Sequence, residues 1–417
     1  MNKRRVVVTG LGVVSSVGMN VEEFWNNIKA NKTGIKKIPI LDENERYNCW
    51  NGGYIDKDVL KEAASKYRIR NPEKMVEMAT LACQEALEDS GLIEDFANPI
   101  PQRCGVILGT GIGCQGAIDD MLKVVYQGDK GIRNVRPSSV PVSMANAVSA
   151  NISVKYQLVG PNYVITCACS SATAAMGNSW RMIADGYIDK VLTGGGDAVF
   201  SYGHYAAWTN LRVMSSNENP DICCKPFDSD RDGCVLGEGA AMLVLEDLDS
   251  ALARGATIYG EIVGYGESSD ASHLTRPNPV GQISAMKMAM DSAGITPEDI
   301  GYINAHGTAT ITNDPTESGS IASVLGEDVV ASVPVSSFKP YYGHLLGGSG
   351  AIETLQMLLG LKEGCVQGNR NLVNVDEGCS KLNLPVESFE PTKDYALKNS
   401  FAFGGNNAVL VLKKFVG

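Results

Sequence analysis

Two thiols one residue apart, Cys167 and Cys169, stand in "TCACSSATAAMG" (166–177), where a short apolar run gives way to small residues. Cysteines at i and i+2 would close a strained ring, so a disulfide between them is not expected. A paired metal site normally needs CxxC spacing and further ligands. Either the thiols are small apolar filler or one of them is a nucleophile. The preceding "YVIT" reads as a strand and the residues after it as a helix, with Ala172, Met176 and Trp180 on one packed face and Gly186 as its stop. Cys169 then lies at a helix N-terminus, whose unsatisfied N–H groups and dipole favour thiolate and are expected to lower its pKa. Cys167 falls inside the apolar strand and reads as filler.

Further along, "YINAHGTAT" puts His306 at the end of a buried strand, followed by Gly307 and the hydroxyls of Thr308 and Thr310. Polar residues at strand ends beside glycine belong to the rim where α/β proteins bind ligands. In the adjoining "NDPTES", Asp314 as N-cap, Pro315 at the first helical position and Glu317 form an acidic analogue of a capping box. These carboxylates are read as structural. "SSFKPYYGHLLGGSGAIE" holds Lys339 and His344 five residues apart, ahead of a glycine-rich helix start. A lysine in so apolar a setting needs a partner or a function. The chain has four histidines, and two of them fall in such motifs. One cysteine, two histidines and one lysine at strand ends or helix starts make a constellation suited to nucleophilic catalysis.

The elements that must carry these residues are short β-branched runs: "RVVVTG", "CGVILGTG", "YVITCA", "KVLTGGG", "AAMLVLE", "GYINAHG", "VPVSSF" and "AVLVLKK". Helical patterns at 73–90 and 282–293 alternate with them, which predicts an α/β protein whose sheets are covered on both faces. The chain divides near residue 255, into halves 1–255 and 256–417. Each half ends in a glycine-rich element before a β run, a hint of internal duplication. "KPFDSDRDGCVLGEG" reads as an ion-paired loop shaping a wall of the site. "GLGVVS" and "GTGIGCQG" are imperfect nucleotide fingerprints, and neither shows a clear acidic ribose partner about 20 residues later, so dinucleotide binding is not expected.

The 417 residues carry 36 Lys and Arg against 47 Asp and Glu, a net charge of -11. That argues against nucleic acid or an anionic membrane as the main partner. Eleven cysteines at irregular spacing, with no CxxC, fit a reduced, cytoplasmic protein. The opening "MNKRRVVVTGLGVVSSVG" has the basic start of a signal peptide. Thr9, Gly10, Gly12, Ser15 and Ser16 break its apolar region, and it reads instead as a buried first strand. No apolar run approaches the roughly 18 residues of a membrane span.

Taken together, the Cys169 turn, "KPFDSDRDG", "NAHGT", "VSSFK..YGH" and "NSFAFGGNNAVLVL" resemble, in order, the β-ketoacyl-acyl-carrier-protein synthases, the condensing enzymes of fatty acid and polyketide synthesis. The resemblance covers essentially the whole chain and implies a thiolase-like fold: two duplicated halves in a five-layer α-β-α-β-α sandwich. It implies decarboxylative condensation of a Cys169-bound acyl chain with malonyl carrier protein. His306 and His344 would stabilise the enolate, and Lys339 would hold the charge network around them. The N–H groups of Cys169 and Phe403 would form the oxyanion hole, with Phe401 and Ala402 in the same gate. Thr308 and Thr310 match positions that contact the phosphopantetheine arm, Phe227 an aromatic position lining the reaction site and Ile112 one lining the acyl pocket. No metal or bound cofactor is implied, since the phosphopantetheine arm of the carrier brings the substrate.

Carrier docking is expected on basic residues: Lys74 with Lys66, Arg68 and Arg70; Lys130 with Arg133 and Arg136; and Arg212 near the entrance. The resemblance also implies a dimer, with itself or with a Cys-less paralogue, the chain-length factor. Ala402 stands where glycine is usual, Asn406 where threonine is usual, and Pro340, Tyr341 and Tyr342 fill a stretch that is usually Ser-rich; these departures leave fatty-acid and polyketide pathways both open. A backbone hinge at Ala402 would be stiffer than one at glycine. A thiolase would carry a second catalytic cysteine near the C-terminus, which "FAFGGNN" lacks, and a chain-length-factor-like subunit would lack Cys169. A Cys–His hydrolase would need water at the thioester.

Overall fold

The computed structural model describes residues 3–41, 47–93, 103–127 and 131–416. Ten strands form the main sheet system. In the first half these are β1 (Val6–Ser15), β2 (Cys104–Gly109), β3 (Asn162–Ile165), β4 (Lys190–Asp197) and β5 (Gly239–Asp247), and in the second β6 (Gly260–Ser269), β7 (Ile300–Asn304), β8 (Val335–Ser336), β9 (Tyr395–Phe401) and β10 (Asn406–Lys413). The spatial order is β3-β2-β4-β5-β1 in the first half and β8-β7-β9-β10-β6 in the second. Numbered within each half, both read 3-2-4-5-1. The first three strands of each order run parallel, and the remaining pairings are antiparallel. The duplication hinted at by the glycine-rich endings is therefore present in the topology.

The two sheets join through a short antiparallel contact between β1 and β6, from Val6↔Ile262 to Val8↔Gly260. Helices α1 (Lys74–Asp89) and α2 (Ala147–Tyr156) cover the outer face of the first sheet. Helices α5 (Pro279–Ala293) and α6 (Asn313–Leu325) cover the outer face of the second, while α3 (Ser171–Ala184) and α7 (Ser349–Glu363) are sandwiched between the sheets. A further helix, α4 (Tyr202–Leu211), lies beside the site. The five layers α-β-α-β-α follow from sheets whose residues are apolar on both faces and must be covered on both. β1, for example, is buried at all ten positions.

Close backbone approach explains the glycines that resembled nucleotide fingerprints. A Cβ at Gly12 would lie 2.0 Å from the Ala82 carbonyl oxygen, and one at Gly109 would lie 2.3 Å from the Ala172 nitrogen. These glycines let α1 lie against β1 and α3 against β2. β6 and β9 fall outside the β-branched runs that mark the other strands. Glycines and Glu267 interrupt the apolar pattern of β6, and β9 carries Lys398 and Asn399, both fully buried. Gly186, at φ +76°, follows the end of α3 as expected.

Candidate active site

The chain leaves β3 and turns through a single 3-10 turn, Ala168–Ser170, into α3. Ala168 is held at φ +50°, a left-handed conformation that costs a non-glycine residue about 1 kcal/mol or more. Ser171 fixes the turn: its Oγ accepts the Cys167 N–H at 2.9 Å and donates to the Ala168 carbonyl at 2.6 Å. Cys169 is thereby set at the head of the central helix. Cys167 packs against the central core, in keeping with a filler role.

His306 stands two residues past the end of β7. Its N–H and that of Gly307 both donate to the Glu317 carboxylate on α6, at 2.7 and 2.8 Å. Asp314 accepts the Phe227 N–H at 2.9 Å. The expected capping box is therefore absent. Thr312 is the N-cap of α6, Asp314 lies inside its first turn, and both carboxylates reach across to loops of the site. They remain structural, and Glu317 is the strut that holds His306. Arg231 of "KPFDSDRDG" donates to the Thr310 and Ile311 carbonyls, both at 3.2 Å, and to Asp376 at 2.8 Å, which makes the ion-paired wall expected of that loop.

His344 lies between the short helix Lys339–Tyr342 and the 3-10 turn Leu346–Gly348, with its N–H donating to the Val235 carbonyl at 2.7 Å. Its Nε2 stands 3.1 Å from Cys169 Sγ, and its Nδ1 is 2.7 Å from Ser349 Oγ. The rings of His306 and His344 meet edge to face at 5.2 Å, and Cys169 Sγ and one nitrogen from each ring lie within 4.8 Å of one another. Lys339 is fully buried; it donates to the His306 carbonyl and pairs with Glu353 at 2.7 Å. Glu353 is the partner that the buried lysine required, and neither its position nor its type marked it in the sequence.

Burial pushes the Cys169 thiol up to about 12; the Lys339 ammonium opposes this, Asp197 adds to it, and the N–H groups of Phe403 and Cys169 itself act to lower it. The expected lowering by the helix terminus is thus overridden, because desolvation of a fully enclosed thiolate outweighs the dipole. Both imidazoles are held well below their ordinary value of 6.5, first by burial and then by the Lys339 cation, with Lys398 contributing to each. Both rings are therefore neutral at neutral pH. Asp197, pushed up to about 6 by burial, accepts from the Thr110 hydroxyl and from the N–H groups of Gly111 (2.8 Å), Ile112 (3.2 Å) and Gly347 (2.7 Å), tying the 110–112 loop to the turn after His344.

Cys169, His306 and His344 line a cavity of about 250 Å³ together with Thr308, Thr310, Phe401, Ala402 and Phe403. Its exposed rim includes Arg212, Leu274, Arg276 and Thr312. The Thr308 and Thr310 hydroxyls are 3.0 Å apart. Phe401 lies 6.3 Å from His306, and Phe403 stacks on Trp208 of α4 at 5.9 Å. Ile112 packs in the same apolar cluster as Cys169. Phe227 is a correction. It does not line the cavity; it is fully buried behind Gly307, with φ +66°, and its ring fills the core of the second half.

Lys74 is a second correction. Its ammonium pairs with buried Glu238 and lies 4.4 Å from the Tyr54 ring centroid, so its charge is already neutralised within the fold. Arg212, Arg133, Lys66, Arg68, Arg70 and Arg136 are exposed, whereas Lys130 lies outside the described residues. Ala402 adopts φ -124° and ψ 155°, an extended backbone that alanine tolerates, and the left-handed angles of this loop fall on Gly404 (φ +82°) and Gly405 (φ +75°). The conformation seen therefore places no backbone strain on Ala402. Pro340, Tyr341 and Tyr342 are buried and outside the cavity lining, with Tyr341 and Tyr342 in the central core. Strained backbone gathers around the cavity: Ala168, Arg212, Phe227, Ala309 and Leu346 all have φ between +46° and +66°.

Residues 3–251 match the family description "Beta-ketoacyl synthase, N-terminal domain", and residues 259–373 match "Beta-ketoacyl synthase, C-terminal domain". The chain is 36% identical to 3-oxoacyl-[acyl-carrier-protein] synthase 2 of Synechocystis over 100% of this chain and 99% of that one. It is 39% identical to the protein of that name from Coxiella burnetii, over 99% of each. Among solved structures, a type II polyketide ketosynthase in complex with its acyl carrier protein superposes with a TM-score of 0.90 at 28% identity, covering 99% of this chain and 100% of that one. The ishigamide ketosynthase/chain length factor superposes at 0.89 with 31% identity, over the same shares. No helix among the described residues is long and apolar enough to cross a membrane. With its two duplicated halves, its buried cysteine between two neutral imidazoles, and these full-length matches, the chain belongs to the beta-ketoacyl synthase family of thiolase-like acyltransferases.

Proposed function

We propose that the chain condenses a Cys169-bound acyl group with malonyl carrier protein, releasing CO2 and forming β-ketoacyl carrier protein. The observation that carries this reading is the single sulfur faced by two neutral imidazoles, with the Phe403 and Cys169 N–H groups acting on it. Cys169 Sγ attacks the acyl thioester, its proton passing to His344 Nε2. The developing oxyanion takes hydrogen bonds from the two backbone N–H groups, and the carrier thiol leaves with a proton. In the second half-reaction the C–CO2 bond of the malonyl group breaks and its electron pair forms an enolate. Between the half-reactions His344 exchanges to its Nε2–H tautomer, with Nδ1 accepting from the Ser349 hydroxyl. The N–H donors of His306 and His344 then stabilise the enolate oxygen. Its carbon then attacks the Cys169 thioester, and the Cys169 thiolate departs and is reprotonated. Lys339 holds the imidazoles neutral and braces the His306 carbonyl. Every step balances without a metal or redox carrier.

The phosphopantetheine arm enters past Arg212 and Thr312 and passes Thr308 and Thr310. Arg212 and Arg133 offer charge to an acidic carrier protein. The chain works as a dimer, with itself or with a Cys-less paralogue, and in the cytoplasm. The ketosynthase relatives solved with a carrier protein or with a chain length factor support such partners. The test is intact-mass analysis of the purified chain given an acyl carrier protein and then malonyl carrier protein. The expected result is one acyl mass on a Cys169 peptide, followed by a β-ketoacyl product and CO2. Hydrolysis of the acyl group without condensation would overturn the reading.

A further inference from the structure

A second lysine is buried beside the site, and nothing in the condensation mechanism uses it. Lys398 lies in β9, paired in register with Asn304, two residues before His306. Its side chain is fully buried, and its Nζ lies 2.9 Å from Glu353 Oε2. The other oxygen of the same carboxylate is 2.7 Å from Lys339 Nζ. Glu353 stands one helical turn beyond Ser349, the residue that meets His344 Nδ1. One carboxylate therefore bridges two ammonium groups, one beside the His306 loop and one beside the strand that leads to the gate. Lys398 also donates to the Asn399 carbonyl and, at 3.3 Å, to Ser400 Oγ.

We propose that Lys398 is a positioning residue that sets the charge of the histidine pair: through the Lys339–Glu353–Lys398 bridge it keeps His306 and His344 unprotonated under acid conditions in which a single lysine would not. The proposal rests on the reading that these imidazoles do the chemistry. The surrounding charges support it. Glu353 on α7 and Glu317 on α6 are the two carboxylates that couple to the lysine pair, so two cations balance two anions in this buried cluster. Other ionisable groups packed around it are Cys169, Cys224, Cys234, Tyr302 and Tyr342, while Asp314 is matched by Arg231, and Asp197 lies beyond Cys169. Removing Lys398 leaves one excess negative charge in a region closed to water. An imidazolium is then favoured, and the histidine pKa values rise.

The test replaces Lys398 with methionine, similar in length and uncharged, and follows the four histidine side chains by NMR titration alongside the pH profile of malonyl carrier protein decarboxylation. In the unaltered protein the His306 and His344 rings should show no protonation near the ordinary value of about 6.5. In Lys398→Met at least one of the two should titrate higher by about one pH unit, and the acid limb of decarboxylation should move up by the same amount. Lys398→Gln, whose amide can replace the donors to Asn399 and Ser400, carries the same measurement if the methionine variant does not fold. Ordinary titration of both rings in the unaltered protein, or unshifted titration and an unshifted acid limb in a folded variant, overturns the proposal. The NMR shift is read without turnover, so an inactive protein with a shifted imidazole would count against the condensation reading and not against this one.

Discussion

His344 Nε2 stands 3.1 Å from Cys169 Sγ, although the two residues are 175 positions apart and belong to opposite halves of the duplication. The short 3-10 turns at the heads of α3 and α7 bring them together between the sheets. A thiol and a neutral imidazole at this distance form a hydrogen-bonded pair, poised for proton transfer only when a thioester arrives. This differs from a preformed thiolate–imidazolium pair.

That difference is measurable by alkylation. With the thiol held near 12, the rate of Cys169 alkylation by iodoacetamide should rise roughly tenfold per pH unit through neutral and mildly alkaline pH, without a plateau. Peptide mapping should place the adduct on Cys169, and Cys169→Ala should abolish both the adduct and acyl transfer. A plateau in rate below pH of about 7 would show that a thiolate already exists.

Acyl transfer and decarboxylation should separate in the histidine variants. His306→Ala leaves the Cys169–His344 pair in place and should retain acylation. His344→Ala removes the proton acceptor and should slow acylation more. Each should lower malonyl decarboxylation by about 10²-fold, the usual effect of losing one oxyanion donor. Release of labelled CO2, compared with mass analysis of the acyl-enzyme, checks both halves.

Carrier docking should be salt-sensitive and centred on the cavity mouth. Arg212→Glu should weaken carrier binding several-fold, and raising salt from about 50 to about 300 mM should do the same for the unaltered protein. Lys74→Ala should leave docking unchanged and instead destabilise the fold, because it strands Glu238 as an unpaired buried charge. Binding by surface plasmon resonance and melting by calorimetry distinguish the two.

The gate loop offers a comparison of two small residues. Ala402→Gly should change turnover little, since the native backbone there is extended. Gly404→Ala should destabilise the loop by about 1 kcal/mol or more, since alanine resists φ +82°. Steady-state rates with short and long acyl primers, together with melting temperatures, read both effects.

The sequence by itself determined the α/β class, the cysteine turn and the His, Lys and His set, and hinted at the duplicated halves. Each of these rests on local pattern: apolar runs that must be buried on both faces, glycines beside polar strand ends, and a spacing that few folds share. The two strands outside the expected set, β6 and β9, show where local pattern ends, because glycine punctuation and a buried Lys-Asn pair do not mark a strand until a neighbouring strand satisfies them. Only the tertiary structure decided that Glu353 joins two lysines, that Glu317 braces the His306 loop instead of capping its own helix, and that Phe227 and Lys74 face inward. It also reversed the direction of the Cys169 shift. A helix terminus is visible in sequence, but the dehydration of the sulfur depends on residues from both halves closing over it, and in a buried site desolvation outweighs the dipole.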